Sequence, residues 1–287
     1  MRRPLLILIL ATVWAATAAR TVAPRFGDEA RDTTRLNEML AKGLAQRFST
    51  PQERTAFFAR MMEGTPYGAH TLEADTERVT VRLDSLDCTT FVETAMALSY
   101  TAGERRSSWR DFVYNLERFR YRGGKVDGYP SRLHYICDWA IDNAHRGNIE
   151  DVTGRLPRCG YIVRSIDFMT AHRDSYPALS DSANYARMKA VEGGFRNHRF
   201  PYIKTSDVAS REVRDALRTG DVVALVTKMK DLDVTHMGIV VKDESGMPRL
   251  LHASSSHGKV EVTSVSMADF LRRNPSLAGI RVFRLKD

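Results

Sequence analysis

The feature that most constrains this 287-residue chain is a change in hydrophobic period along its length. Apolar residues recur at helical spacing through much of the first part, then fall into short strand-like runs from Gly220 onward. Helices followed by an antiparallel meander define an α+β domain. Asp32 to Phe48 sets Leu36, Met39, Leu40 and Leu44 on one helical face. A second helix starts at Thr50 as N-cap, with Pro51 in its first turn and Glu53 completing a capping box. Its apolar side is Phe57, Phe58, Met61 and Met62, and Gly64-Thr65-Pro66 ends it. The alternation over Arg78 to Leu83 predicts a strand. Helices are expected over Asp87 to Tyr100, over Ser108 to Phe119 (with Asp111 at capping-box spacing), and over Leu133 to Arg146, stopped by Gly147. Between Asp151 and Arg199 one helix, Asp181 to Glu192, is expected among loops. Strands follow at Val222 to Val226, Thr235 to Val241, Arg249 to Ala253, Val260 to Thr263 and Ile280 to Phe283, with a short helix at Met267 to Arg272.

The first residues have a different character. Arg2 and Arg3 precede an apolar run from Leu5 to Ala16, and Ala16-Thr17-Ala18 offers a small-x-small cleavage pattern. This predicts a signal peptide over 1–18 and an exported protein, periplasmic or secreted, with no stable membrane anchor after cleavage. Residues 19–287 then form a single domain, with about 28–64 as a helical N-terminal elaboration. At 43% hydrophobic and 27% charged, the chain as a whole is rich enough in apolar residues to build a core. The formal charge of +8 favours carboxylate-bearing or polyanionic partners, and export argues against nucleic acid. The single Arg120 to Lys125 basic stretch reads as a flexible loop. A monomer is expected. Three cysteines, Cys88, Cys137 and Cys159, leave at least one thiol free. Cys137 falls on an apolar helical stripe, and pairing of Cys137 with Cys159 stays open.

Cys88 opens a helix in Leu86-Asp87-Cys88-Thr89-Thr90-Phe91-Val92-Glu93. Backbone N–H groups and the dipole at that end favour a thiolate, the nucleophilic form. His236 and His252 lie on strands joined by a turn-rich loop, Asp243 to Pro248. Folding about Glu244 sets 236 opposite 252. A slip of two residues keeps both imidazoles on one face, whereas a slip of one separates them. His236 is then placed to take the thiol proton and His252 to orient it, the logic of nucleophile, base and orienter. A Cys/His/His zinc site is the weaker alternative, because no close-spaced ligand pair occurs.

These runs, with Gly220-Asp221-Val222-Val223 and His252-Ala253-Ser254, resemble the NlpC-type papain-like hydrolases of bacterial cell walls. Thr65-Pro66-Tyr67, Thr71-Leu72-Glu73 and Ser131 to Tyr135 are similar to the N-acetylmuramoyl-L-alanine amidase branch. The resemblance covers Leu36 to the C-terminus. It implies a papain-like α+β fold, a peptidoglycan or muropeptide substrate, small released fragments above all, and no metal or organic cofactor. It also implies Cys88 as nucleophile, His236 as base and His252 as orienting residue. Tyr67 is expected at the oxyanion site or substrate groove. Asp87 either caps its helix or contacts substrate. His134, Tyr135 and Asp138 either grip a muropeptide or face water, and Glu93 is solvated or paired to an arginine. Three alternatives are a D-glutamyl-diamino acid endopeptidase of the same fold, in which the Asp beside the Cys holds a free stem-peptide amine, a noncatalytic wall-binding protein, and a metal-dependent hydrolase.

Overall fold

The computed structural model describes residues 22–287, so the expected signal peptide lies outside the described residues. In chain order the elements are β1 (Arg25–Phe26), α1 (Glu29–Leu44), α2 (Pro51–Arg60), β2 (Thr80–Val81), α3 (Cys88–Gly103), α4 (Trp109–Arg120), α5 (Ile136–His145), β3 (Ile149–Asp151), β4 (Cys159–Arg164), α6 (Phe168–Ala171), α7 (Ser182–Gly193), β5 (His198–Lys204), α8 (Arg211–Ala216), β6 (Val222–Thr227), β7 (Val234–Lys242), β8 (Pro248–Ser254), β9 (Lys259–Val262), α9 (Met267–Arg272) and β10 (Leu277–Leu285). The large sheet runs β4-β5-β10-β6-β7-β8-β9, with β3 also paired to β10, and every pairing in it is antiparallel. A second, two-residue parallel pairing joins β1 to β2.

Both faces of the sheet centre are covered, which explains why β6 is apolar from Val222 to Val226 and buried at all six positions. Val222, Ala224, Met237, Ile239 and Leu251 pack with Leu36, Leu40, Phe58 and the body of α3. On the opposite face Val223, Leu225, Val240 and Leu250 pack against Val213 of α8 and Met267 and Leu271 of α9. The helices of 28–64 thus share one core with α3. The predicted start of α2 is realised, since Thr50 Oγ1 accepts from the Glu53 N–H, although Glu53 reaches back to the N–H of Ser49. Ser108 caps α4 through the Arg110 N–H, and Asp111 binds Arg106 instead of closing a capping box. Gly220 has φ of 91°, and a Cβ there would stand 1.8 Å from the Gln52 carbonyl oxygen, so only glycine lets α2 approach the start of β6. Asp221 beside it is fully buried and binds Arg284.

Four expectations are revised. The strand expected over Arg78 to Leu83 shrinks to Thr80–Val81, because its partner β1 is two residues long. The helix expected from Leu133 starts at Ile136. Its first residues are extended because Arg132 bridges to Tyr121, the Leu133 N–H binds the Arg120 carbonyl, and the Arg132 guanidinium reaches Glu73 and Glu77. The 151–199 segment holds α7 as predicted, capped by Asp181, and also the β4–β5 hairpin. Tyr161 and Val163 of that outer strand face solvent, so no apolar alternation marked it. The Arg120 to Lys125 stretch is no free loop. Arg120 and Tyr121 are buried, and Arg122 pairs with Asp138, itself buried, whose carboxylate therefore does not face water. Cys137 is buried and Cys159 half-buried, and both thiols are free.

Glu93 is paired rather than solvated. Its Oε2 receives Arg120 Nε at 2.6 Å, and both side chains are nearly inaccessible. Removing one partner of a buried pair strands the other charge, so Arg120→Ala should lower unfolding free energy by ~3–5 kcal/mol. Urea denaturation measures it, and a loss below ~1 kcal/mol would show that the pair does not anchor α3.

Candidate active site

The site begins with the cap of α3. Asp87 Oδ1 accepts the Thr90 N–H at 2.7 Å, and Thr90 Oγ1 accepts the Asp87 N–H at 2.9 Å, closing a reciprocal box. The capping role of Asp87 is therefore present. The box fixes Cys88 as the first residue of the helix, with its Sγ 3.9 Å from Thr89 Oγ1. The backbone groups of Met237 and Thr89 act on the thiol in the stabilising sense, which puts it beside β7 one residue beyond His236. Burial pushes this thiol up to about 11, the Asp87 carboxylate adds to the rise, and the N–H and hydroxyl donors do not offset them. The helix-start argument for a standing thiolate is thus overruled by desolvation.

β7 and β8 hold the histidines. Their pairing sets Ile239 opposite Leu251, so the register lies two residues from a fold about Glu244 and places His236 and His252 as diagonal neighbours on one face. A bulge at Thr235 interrupts the pairing of β7 with β6 immediately before His236. His236 Nε2 and His252 Nδ1 are 2.7 Å apart, with the ring planes at 90°. Burial lowers His236 to about 3, aided by His252. Burial likewise lowers His252 to about 4; Glu261 opposes that shift, and His257 adds to it. Both rings are therefore neutral at pH 7 and share one N–H. When His236 donates from Nε2, its Nδ1 carries a free lone pair. The two imidazoles line a cleft of about 330 Å³ with Thr235, Ser254, Phe270 and Asn274.

Tyr67 is drawn to the same place. Its N–H donates to the Gly258 carbonyl at 2.8 Å, and the Leu86 N–H binds the Pro66 carbonyl at 3.0 Å, which lays Tyr67 alongside the residues before Cys88. Its hydroxyl is raised by burial and by the proximity of Cys88 and Asp87. The structure thus gathers Tyr67, Asp87 and Cys88 at the start of α3. His134 and Tyr135 are held by the fold. His134 Nε2 lies 3.0 Å from the Tyr129 carbonyl, with the rings in contact. Tyr135, 2% exposed, donates its hydroxyl to Glu192 and accepts the Met169 N–H, both at 2.7 Å, so it ties α5 to α6 and α7 rather than projecting outward. Sequence reasoning missed Thr89, the Met237 backbone and Glu261, which faces His252 across the β8–β9 ladder. The Val260-Glu261-Val262 alternation held that last signal. Among the described residues no three His, Cys, Asp or Glu side chains gather as a metal site, and no helix is long and apolar enough to cross a membrane.

The fold has counterparts in known proteins. An N-acetylmuramoyl-L-alanine amidase from Bacteroides uniformis superposes with a TM-score of 0.78 at 35% identity, over 83% of this chain and 99% of that one. A Bacteroides fragilis protein provisionally assigned as a xylanase gives 0.74 at 38% identity, over 79% of this chain and 99% of that one. A Legionella pneumophila protein shares the fold at 0.69 and 20% identity, over 90% of this chain and 96% of its own. No curated protein matches the chain. The AmiA-like family, described as N-acetylmuramoyl-L-alanine amidase-like, matches residues 57–280, a span that takes in Tyr67, Cys88 and both histidines, and the chain belongs to that family.

Proposed function

We propose that this protein is an exported cysteine amidase, papain-like in layout, that hydrolyses the bond between N-acetylmuramic acid and L-alanine in peptidoglycan fragments. The observation that carries the reading is the His236–His252 pair, 2.7 Å apart, on the strands beside which Cys88 begins α3. Family membership supports the amidase activity, and the net positive charge suits carboxylate-rich stem peptides.

At rest the thiol is protonated and His236 neutral. As Sγ attacks the lactyl carbonyl carbon, its proton passes to His236 Nδ1 and a carbon–sulfur bond forms. The carbonyl oxygen gains negative charge, and the backbone N–H of Cys88, with the Tyr67 hydroxyl, stabilises it. Collapse breaks the carbon–nitrogen bond. The departing L-alanine amine takes the proton from His236, leaving a thioester on Cys88. His236 then deprotonates water, which attacks the thioester, and the proton returns to the sulfur as muramic acid leaves with a free carboxylate. His252 keeps His236 in the required tautomer throughout.

Mass spectrometry of purified muropeptides tests the reading. Wild type should yield free stem peptide and peptide-less sugar, while Cys88→Ala and His236→Ala each lose nearly all turnover because nucleophile and base act as a unit. Sugar still bearing L-alanine-D-glutamate would make it an endopeptidase. Asp87→Asn should reduce kcat/KM by about tenfold or less, since the cap survives with an amide oxygen; a loss above ~10³-fold would assign Asp87 to an amine on the substrate. The neutral resting pair makes a further prediction. Iodoacetamide modification of Cys88, followed by peptide mapping, should accelerate about tenfold per pH unit from pH 7 to 10. A rate already flat at pH 7 would mean a standing thiolate and contradict the neutral pair.

A further inference from the structure

His252 is 4% exposed, yet it must stabilise a positive charge whenever His236 holds the thiol proton, because the two rings are hydrogen-bonded at 2.7 Å. Few groups are placed to offset that charge. β7 contributes His236 itself, and α9 contributes Phe270, whose ring centroid lies 5.4 Å from that of His252. The turn after β8 contributes His257, and β9 contributes Glu261. Among the described residues, Glu261 is the acid in this set. The register pairs it directly with His252, so the two side chains leave the sheet on the same face as immediate neighbours. His257 Nδ1 contacts Glu261 Oε1 from the outer side, where His257 is exposed and Glu261 only 21% so.

We propose that Glu261, standing across the β8–β9 ladder from His252 and held by His257, is a positioning residue that supplies the counter-charge for the imidazolium formed during turnover. The inference rests on the assignment of Cys88 and His236 made above. In a water-poor site an uncompensated imidazolium is costly, and a carboxylate a few ångströms away lowers that cost. The effect of each neighbour on His252 has the matching sign, Glu261 favouring its protonated form and His257 opposing it. His257 therefore both holds the carboxylate and tempers it.

The test combines kinetics with direct titration. Glu261→Gln should lower kcat about three- to tenfold with KM unchanged and shift the acid limb of the pH–rate profile to lower pH, since the imidazolium is harder to form. Glu261→Asp should restore most of the rate. His257→Ala should move the acid limb the opposite way, because it removes a neighbour that opposes protonation of His252. Raising salt should narrow the gap between wild type and Glu261→Gln, as the carboxylate is partly exposed. Histidine NMR on the same proteins reads the His252 midpoint without any substrate. It should fall in Glu261→Gln and rise in His257→Ala. If wild type cuts no muropeptide, the amidase reading fails while the NMR midpoints still decide the coupling. An unmoved His252 midpoint in Glu261→Gln overturns the proposal. So does a kcat loss that tracks a drop in Tm with the acid limb in place, which would make Glu261 merely structural.

Discussion

The buried ion pair between Glu93 and Arg120 is the constraint on which the site depends. α3 is buried around almost its whole circumference, and a helix so enclosed has no solvent-facing side to fix its rotation. Glu93 supplies the missing direction. Burial raises its carboxyl and Arg120 opposes that rise, so the pair does not simply add stability. What it does is point α3 at α4. Arg120 also donates to the Thr80 carbonyl, while Tyr121 and Arg132 bind Glu77, and Arg132 binds Glu73 as well. This chain of buried charges pins the 73–83 segment that leads into Cys88. Cys88 lies little more than a turn from Glu93, so a rotation of α3 would carry the thiol away from β7.

The sheet contributes a different kind of precision. Side-chain direction in a strand repeats every two residues, so the expected pairing of His236 with His252 survived an error of two in the register. The sequence centres the loop on Glu244, whereas the turn closes around Ser245, with the Asp243 N–H on the Met247 carbonyl. What the pattern could not supply is the crossing of the rings. The bulge at Thr235 and the packing of Phe270 on His252 determine that, and both depend on segments distant in sequence.

The same division separates what was legible in the sequence from what was not. Thr50-Pro51, Asp87, Ser108 and Asp181 marked helix starts because a cap acts over three residues. Met267 to Arg272 and the strands from Val222 onward were legible because one period dominates each window. The extended path of Leu133 to Tyr135 was not, because local helical spacing yields there to Arg132 reaching for Glu73 and Glu77. Tyr135 was misplaced for the same reason. Its hydroxyl looked available only while the partner, Glu192 on α7, was out of view. β4 escaped because an edge strand with Tyr161 and Val163 exposed buries too little to leave a pattern.

The ionisation state of Cys88 shows how magnitudes settle a conflict between two sound local rules. A helix N-terminus favours a thiolate by ~0.3–1 kcal/mol when exposed and ~2 kcal/mol when partly buried. Burial beside Asp87 raises the thiol from 9.0 to about 11, a net cost of roughly 3 kcal/mol in the opposite sense. Desolvation therefore outweighs the dipole. It acts on His236 as well, so the two groups are kept neutral together and neither holds a charge without a reaction to drive it. In the proposed reaction, charge separation is thereby deferred until the carbonyl carbon accepts the sulfur, when the Cys88 N–H would face the oxyanion and the imidazole pair would receive the proton. On the proposed mechanism, such a site holds Cys88 in its less reactive form until substrate arrives.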